Sequence, residues 1–519
     1  MAKEISKDLF HLIKSLSKSE KRFFKLTASR RTGGDGTNYI KLFDAVDRQK
    51  KEYDERKIVQ QEKSIRPERL ADMKNHLYEV ILKNLSVYHT NKTLEAKLKN
   101  MLHYIEILYE KGLYDQCRKL IIKAKQTAGK HESHLYLLHL LVWEINLMRS
   151  QSYFGTSEKN MIEIFAELFE TTEKFKNVYD YEHLASKLFI KWKKKGYSRT
   201  SSDTTEYAKI INDPLLKNES NALSYPARLS LYFTYSAYFS LQNDFIKSYR
   251  YAQKTVQLLE DHPHQAEEKT KQYIAALNNL IIEQFNLKRY AEIPVSIKKL
   301  RAVSIKSKGM RDTVFLSTNN FELGMYISTG EFEKGLNLVT DIEKELDNKE
   351  GIQIMSKEHE TILYHNIFQI YFGAGQYSKA IGYLNKILND TTIDLRNDIL
   401  CFARILNLIT HFELRHMNLL EYVVKSTYYF LNKRKRLYKF ETSVLDFIRK
   451  KLPKVITEKE LIKAFKELKT EFEEITKDAF EKKALEYFDF ISWLESKIEG
   501  RPFAEIVKKK GAKAIPSQI

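Results

Sequence analysis

Between Thr361 and Leu388 the chain reads TILYHNIFQIYFGAGQYSKAIGYLNKIL, and its apolar positions keep a helical period twice over. Tyr364, Ile367, Phe368 and Tyr371 recur at spacings of three and four, which places them on one stripe of a helix that must be buried. Gly375 can take the left-handed conformation that closes this helix, and Tyr377 opens a second one with Ala380, Ile381, Leu384 and Ile387 facing inward. Small Ala380 lets the two helices approach closely. The same alternation of stripe, turn and stripe recurs along the chain. The aromatic just after each turn falls at Tyr114, Phe154, Tyr197, Phe245, Tyr290, Phe332 and Tyr377, 40 to 48 residues apart. Three residues further on stand Cys117, Ser248, Gly335 and Ala380, and in one unit Ile293, so Cys117 reads as a packing residue.

The two ends follow other patterns. Ser17-Lys18-Ser19-Glu20 has the spacing of a capping box, which starts a helix near Lys18. Arg30 to Gly36 reads as a loop, because its glycines cost helix stability without apolar burial in return. Tyr39, Leu42, Phe43 and Val46 mark a further helix. Pro67 suits the first turn of the one that carries Leu70, Met73, Leu77, Val80, Ile81 and Leu85. Past residue 393, Phe402, Ile405, Leu406, Ile409 and Phe412 continue a helix, and Leu419 to Leu431 form its partner. Thr457 and Glu460 make a second capping box. A last long helix is expected to carry Phe480, Tyr487, Phe488, Ile491 and Leu494, and to end at Gly500 and Pro502 before a short segment FAEIV.

This helix-turn-helix pattern, with its turn glycine, flanking aromatics and small residue, resembles the tetratricopeptide repeat (TPR). The resemblance implies an all-α fold, a right-handed α-α superhelix with a concave groove, in which each unit hides its apolar face against its neighbours. Its usual period is about 34 residues, so the longer spacing here implies longer helices or linkers. Four segments are expected: a basic helical N-terminal module over 1–92, serving as cap, docking element or helix-turn-helix-like domain; TPR-like repeats over 93–435; a helical C-terminal cap over 436–507; and a basic disordered tail over 508–519.

Composition agrees with helix. The 519 residues include only 17 Gly and 8 Pro, and 31 Tyr and 29 Phe mostly serve helix interfaces. Two cysteines, Cys117 and Cys401, are too few for a disulfide framework or a cysteine-rich zinc site, which points to a reducing cytoplasm. The opening MAKEISKDLFHLIK has no apolar run of signal type, so export is not expected. The most apolar window, Leu135 to Leu147, is interrupted by His139 and Glu144, which excludes a membrane span. Lys and Arg outnumber Asp and Glu by 87 to 68, a formal charge of +19 that favours acidic partners. Over the first hundred residues the counts are 23 and 14, a net of +9.

No catalytic constellation emerges. His359-Glu360 and His365 fail the HExxH spacing, because six residues separate the histidines where four are needed to put both on one helical face. The glycines at 33, 34 and 36 lack the following Lys-Ser/Thr of a phosphate-binding loop. No enzyme activity, metal or cofactor is expected. The binding pattern is more informative. Asn278, Asn320 and His365 occupy matching positions on three successive first helices, with Asn279 and Asn366 beside them, a ladder suited to an extended peptide or to acidic side chains. The expected function is therefore a non-enzymatic cytoplasmic scaffold or adaptor that binds a protein or peptide, acidic by charge complementarity, in the concave groove. The alternative is a nucleic-acid-associated regulator, in which Lys21, Arg22, Lys25, Arg30 and Arg31 contact phosphates and the solenoid acts as sensor. Further basic clusters at Lys191 to Lys195, Lys433 to Arg436 and Lys508 to Lys510 read as solvated faces.

Overall fold

The computed structural model describes residues 6–30, 35–49, 53–90, 92–195, 210–305, 307–347, 357–389, 397–434, 437–478 and 481–514. Among these residues every regular element is helical and none is a strand. Two compact units divide between Phe175 and Lys176, and each is described by itself.

The first unit begins with α1 (Asp8–Ser15), α2 (Lys18–Arg30), α3 (Asp35–Arg48), α4 (Glu55–Gln61) and α5 (Leu70–His89). Their starts are written in the sequence. The Ser17 N–H donates to Glu20 Oε2 at 2.7 Å while the Glu20 N–H reaches Ser17 Oγ at 3.3 Å, the capping box expected at α2. A 3-10 turn at Pro67–Arg69 leads into α5, where the missing N–H of proline costs nothing. Of the loop expected over Arg30 to Gly36, residues 31–34 lie outside the described residues, and α3 already takes Gly36 into its first turn. Leu9, Ile13, Phe24, Leu42, Phe43, Ile58, Leu77 and Ile81 share a core confined to these helices. A separate core, with Leu98, Ile105, Cys117, Ile121 and Leu140, joins α6 (Leu94–Glu110), α7 (Tyr114–Lys130) and α8 (His134–Ser150). Cys117 is fully buried there, as its small-residue position predicts. The division at Phe175 falls inside α9 (Glu158–Lys195).

The second unit continues with α10 (Tyr225–Leu241), α11 (Phe245–Glu260), α12 (Pro263–Glu268), α13 (Thr270–Asn286), α14 (Ile293–Arg301), α15 (Lys308–Thr329), α16 (Phe332–Asp347), α17 (Lys357–Gly373), α18 (Tyr377–Leu388), α19 (Asn397–Glu413) and α20 (Met417–Lys433). Several helix pairs in the two units are joined by one kind of turn. A residue with positive φ stands at Gly112, Glu132, Asn243, Lys288, Gly330, Gly375 and Arg415. In each case the next N–H donates back to a carbonyl five positions earlier, as Glu331 does to Tyr326 at 2.9 Å and Gln376 to Tyr371 at 2.8 Å. This bond satisfies a carbonyl the helix end leaves open, and the left-handed residue reverses the chain. Tyr114, Phe245, Phe332 and Tyr377 then open the following helix, and Tyr290 lies in the turn before α14. Phe154 departs from the pattern: it is 89% exposed in a turn and packs no hairpin. Tyr197 lies outside the described residues.

The C-terminal end contains α21 (Lys439–Asp446), a π-helical turn at Phe447–Lys451, α22 (Glu458–Ile475), a 3-10 segment at Glu481–Glu486, α23 (Phe490–Glu499) and α24 (Phe503–Ala514). Two sequence readings change here. The long helix expected across Tyr487 and Leu494 is split, because Asp489 turns its carboxylate back to cap α23, accepting from the Ser492 N–H at 2.9 Å. Residues 508–514, expected to be disordered, complete α24, whose apolar Phe503, Ile506 and Val507 dock while Lys508 to Lys510 project outward. Residues 515–519 lie outside the described residues. One core runs from Leu316 to Val507, so the boundary expected near 435 separates no core. Phe440, Phe472 and Phe490 are all fully buried in it, with Phe440 and Phe472 stacked at 4.3 Å. Burying each such ring is worth about 1.5–3 kcal/mol. Among the described residues no helix is long and apolar enough to cross a membrane.

Candidate functional site

The C-terminal segment returns to α15, α17 and α19, the helices on which the sequence placed its groove. Tyr487 stacks on Phe402 of α19 with ring centroids 4.2 Å apart. The Tyr487 carbonyl meets His365 Nε2 of α17 at 2.9 Å. Phe503 packs against Phe332 at 5.7 Å and Phe488 at 5.5 Å. Glu413, at the end of α19, fixes α23: it accepts from Trp493 Nε1 and Lys497 Nζ, each at 2.6 Å. Two glycines let backbone approach backbone where this segment docks. A Cβ on Gly330 would stand 2.5 Å from the Lys508 nitrogen, and one on Gly511 would stand 3.1 Å from Thr329 Cα.

This docking corrects the expected ladder. His365 is 6% exposed and faces the C-terminal segment, so it is not a groove residue open to a partner. Asn320 and Asn366 are brought together, the Asn366 amide donating to Asn320 Oδ1 at 3.0 Å across α15 and α17. Asn278 and Asn279 are half-buried on α13, and Asn278 Oδ1 has no hydrogen-bond partner among the described residues. Asn366 alone of the five lines a cleft of about 500 Å³, open to solvent on one side, between α13, α15, α17 and the C-terminal segment.

The cleft has an apolar bed of Phe285, Phe332, Phe488 and Phe503 and a polar edge of Lys288, Asn366, Gln369 and Asp489. Lys288 is exposed at the left-handed position of the α13–α14 turn and forms no ion pair among the described residues. Tyr290 also borders the cleft, and burial raises its hydroxyl pKa, so this group is a neutral hydrogen-bonding partner at physiological pH. Asparagine and glutamine amides both donate and accept, as a peptide backbone requires, and an apolar bed accepts a side chain. Sequence reasoning missed Lys288, Gln369, Phe488 and Phe503. The Gly500-x-Pro502 start followed by apolar Phe503, Ile506 and Val507 is the signal that would have revealed α24.

Of the residues weighed for nucleic-acid contact, Lys21, Arg22 and Lys25 line one shallow face of α2. Lys21 and Lys25 of α2 pair with Asp47 and Asp44 of α3, each at 2.6 Å. Arg22 is exposed; the Arg30 side chain and Arg31 lie outside the described residues. Among the described residues no group of three or more His, Cys, Asp or Glu could hold a metal ion. No family model matches this chain, and no curated protein or solved structure matches it either.

Proposed function

We propose that this chain is a non-enzymatic, TPR-like helical scaffold that holds an extended segment of a partner protein in the cleft beside α17. The observation that carries this reading is the pairing of an aromatic bed with the Asn366 and Gln369 amides and with Lys288, which forms no ion pair among the described residues, at one solvent-open site. Amides recognise backbone, the rings take an apolar side chain, and the ammonium attracts a carboxylate. The succession of helical hairpins, each closed by the same left-handed turn, supports a right-handed superhelical arrangement of the repeats. A reducing, cytoplasmic setting suits two cysteines that are both buried and form no disulfide.

The test is selection of a random peptide library on the immobilised full chain. Enriched peptides should lose about tenfold or more in affinity when Gln369→Leu and Lys288→Glu are combined, and should be unaffected by Leu26→Glu in the other unit. Enrichment that survives the cleft changes would reject the assignment.

A further inference from the structure

We propose that the exposed face of α2, together with Ile40 of α3, is a docking surface for an acidic amphipathic helix of a partner protein. A shallow trough of about 600 Å³ runs along this face. Its cations are Lys18, Lys21, Arg22 and Lys25, and its apolar centre is Leu26 and Ile40. Leu26 is 52% exposed within this ring of cations.

Charge complementarity selects the partner. Lys14 adds a fifth cation, 3.7 Å from Asp47. Lys14 and Lys21 share one carboxylate, Asp47, and Lys25 takes Asp44, so among these described pairs the cations outnumber the carboxylates. The crowding is felt at Lys14, whose ammonium is held below its ordinary pKa first by burial and, with Asp47 opposing, also by Lys21. Arg22 is exposed and has no ion-pair partner among the described residues. An acidic partner therefore gains attraction that the protein itself does not satisfy.

The same face suits nucleic acid poorly. Phosphates approaching Lys21 and Lys25 would meet the Asp47 and Asp44 carboxylates already 2.6 Å from those ammonium groups. Among the described residues no aromatic ring lines the trough to stack a base, and Leu26 offers nothing to a phosphate. A helix with leucines along one stripe and carboxylates on its flanks matches both features: its apolar anchors cover Leu26 and Ile40 while its acids face Arg22.

The test is fluorescence anisotropy on the full chain with a labelled synthetic peptide of about five helical turns, leucine at every third or fourth position and glutamate elsewhere. A scrambled peptide of equal composition and a single-stranded oligodeoxynucleotide serve as comparators. The amphipathic peptide should bind about tenfold or more tightly than the scramble. Leu26→Glu and Arg22→Glu, both at exposed positions, should each weaken it about tenfold with unchanged circular dichroism, whereas Gln369→Leu in the cleft should not. Equal binding of the scramble, indifference to both substitutions, or tighter binding of the oligodeoxynucleotide would overturn the proposal.

Discussion

Replacing Gly330 by alanine probes the contact on which the candidate cleft depends. Gly330 sits at φ +72°, where a side chain costs about 1–2 kcal/mol. Its added Cβ would lie 2.5 Å from the Lys508 nitrogen, 2.9 Å from Lys508 Cα and 3.0 Å from the Ala504 carbonyl oxygen. These are backbone atoms of α24, which cannot swing aside as a side-chain end can, so overpacking adds about 1–3 kcal/mol. Gly375→Ala is the matched control: its φ is +73°, yet nothing lies within 4 Å of the new Cβ. The control should cost about 1–2 kcal/mol, and Gly330→Ala about 2–5 kcal/mol. Guanidinium unfolding measures both. Hydrogen exchange locates the difference, and amides of Ile506 to Gly511 should exchange about tenfold faster in Gly330→Ala only, as about 1.4 kcal/mol of lost local stability requires. Equal costs for the two variants, with unchanged exchange in α24, would refute the docking of that helix on the α15–α16 turn.

Other outcomes follow from particular groups. Glu413→Gln removes the charge that Lys497 pairs with; the Glu413 side chain is only 7% exposed while that of Lys497 is 27%, so denaturant unfolding should show a loss of about 1–3 kcal/mol after screening at the lysine. His411 Nδ1 lies 3.2 Å from His416 Nδ1, and burial first, then His416, holds the His411 pKa below the ordinary value. The unfolded chain therefore binds this proton more readily, so stability should be complete above about pH 6.5 and fall as pH drops toward the folded-state pKa. His411→Gln should flatten that part of a pH-dependent melting profile. Arg415 occupies a left-handed turn at φ +57°, and Arg415→Gly should raise stability by about 0.5–1 kcal/mol in the same denaturant assay, since relieved strain outweighs the added freedom of the unfolded chain.

Much of the helical architecture is legible in the sequence because its signals are local. The stripe Tyr364, Ile367, Phe368 and Tyr371 becomes buried core or its lining, and Gly112, Gly330, Gly375 and Gly500 take the left-handed conformation their positions imply. The turn built on Glu132 escapes notice, and those at Lys288 and Arg415 are legible only from the spacing of the stripes around them, since these residues carry no turn signature. The site was less legible. The ladder matched Asn320 with His365, whereas Asn320 bonds the neighbouring Asn366, and periodicity says nothing of what covers a helix face from far along the chain. The Tyr487 carbonyl reaches His365 from 122 residues away, and that long-range contact turns an expected groove residue into an anchor. The lysines at 508 to 510 misled for a related reason: polar residues mark one face of α24, while Ile506, Val507 and Gly511 on the other dock against α15.

The most direct measurement is hydrogen exchange on the full chain with and without a peptide selected on the cleft. Slowed exchange should concentrate around Ser328, Asn366 to Gln369, and Leu485 to Asp489 together with α24, the segments that border the cleft. Protection confined to other helices, or none at saturating peptide, would contradict the assignment of this cleft as the partner-binding site.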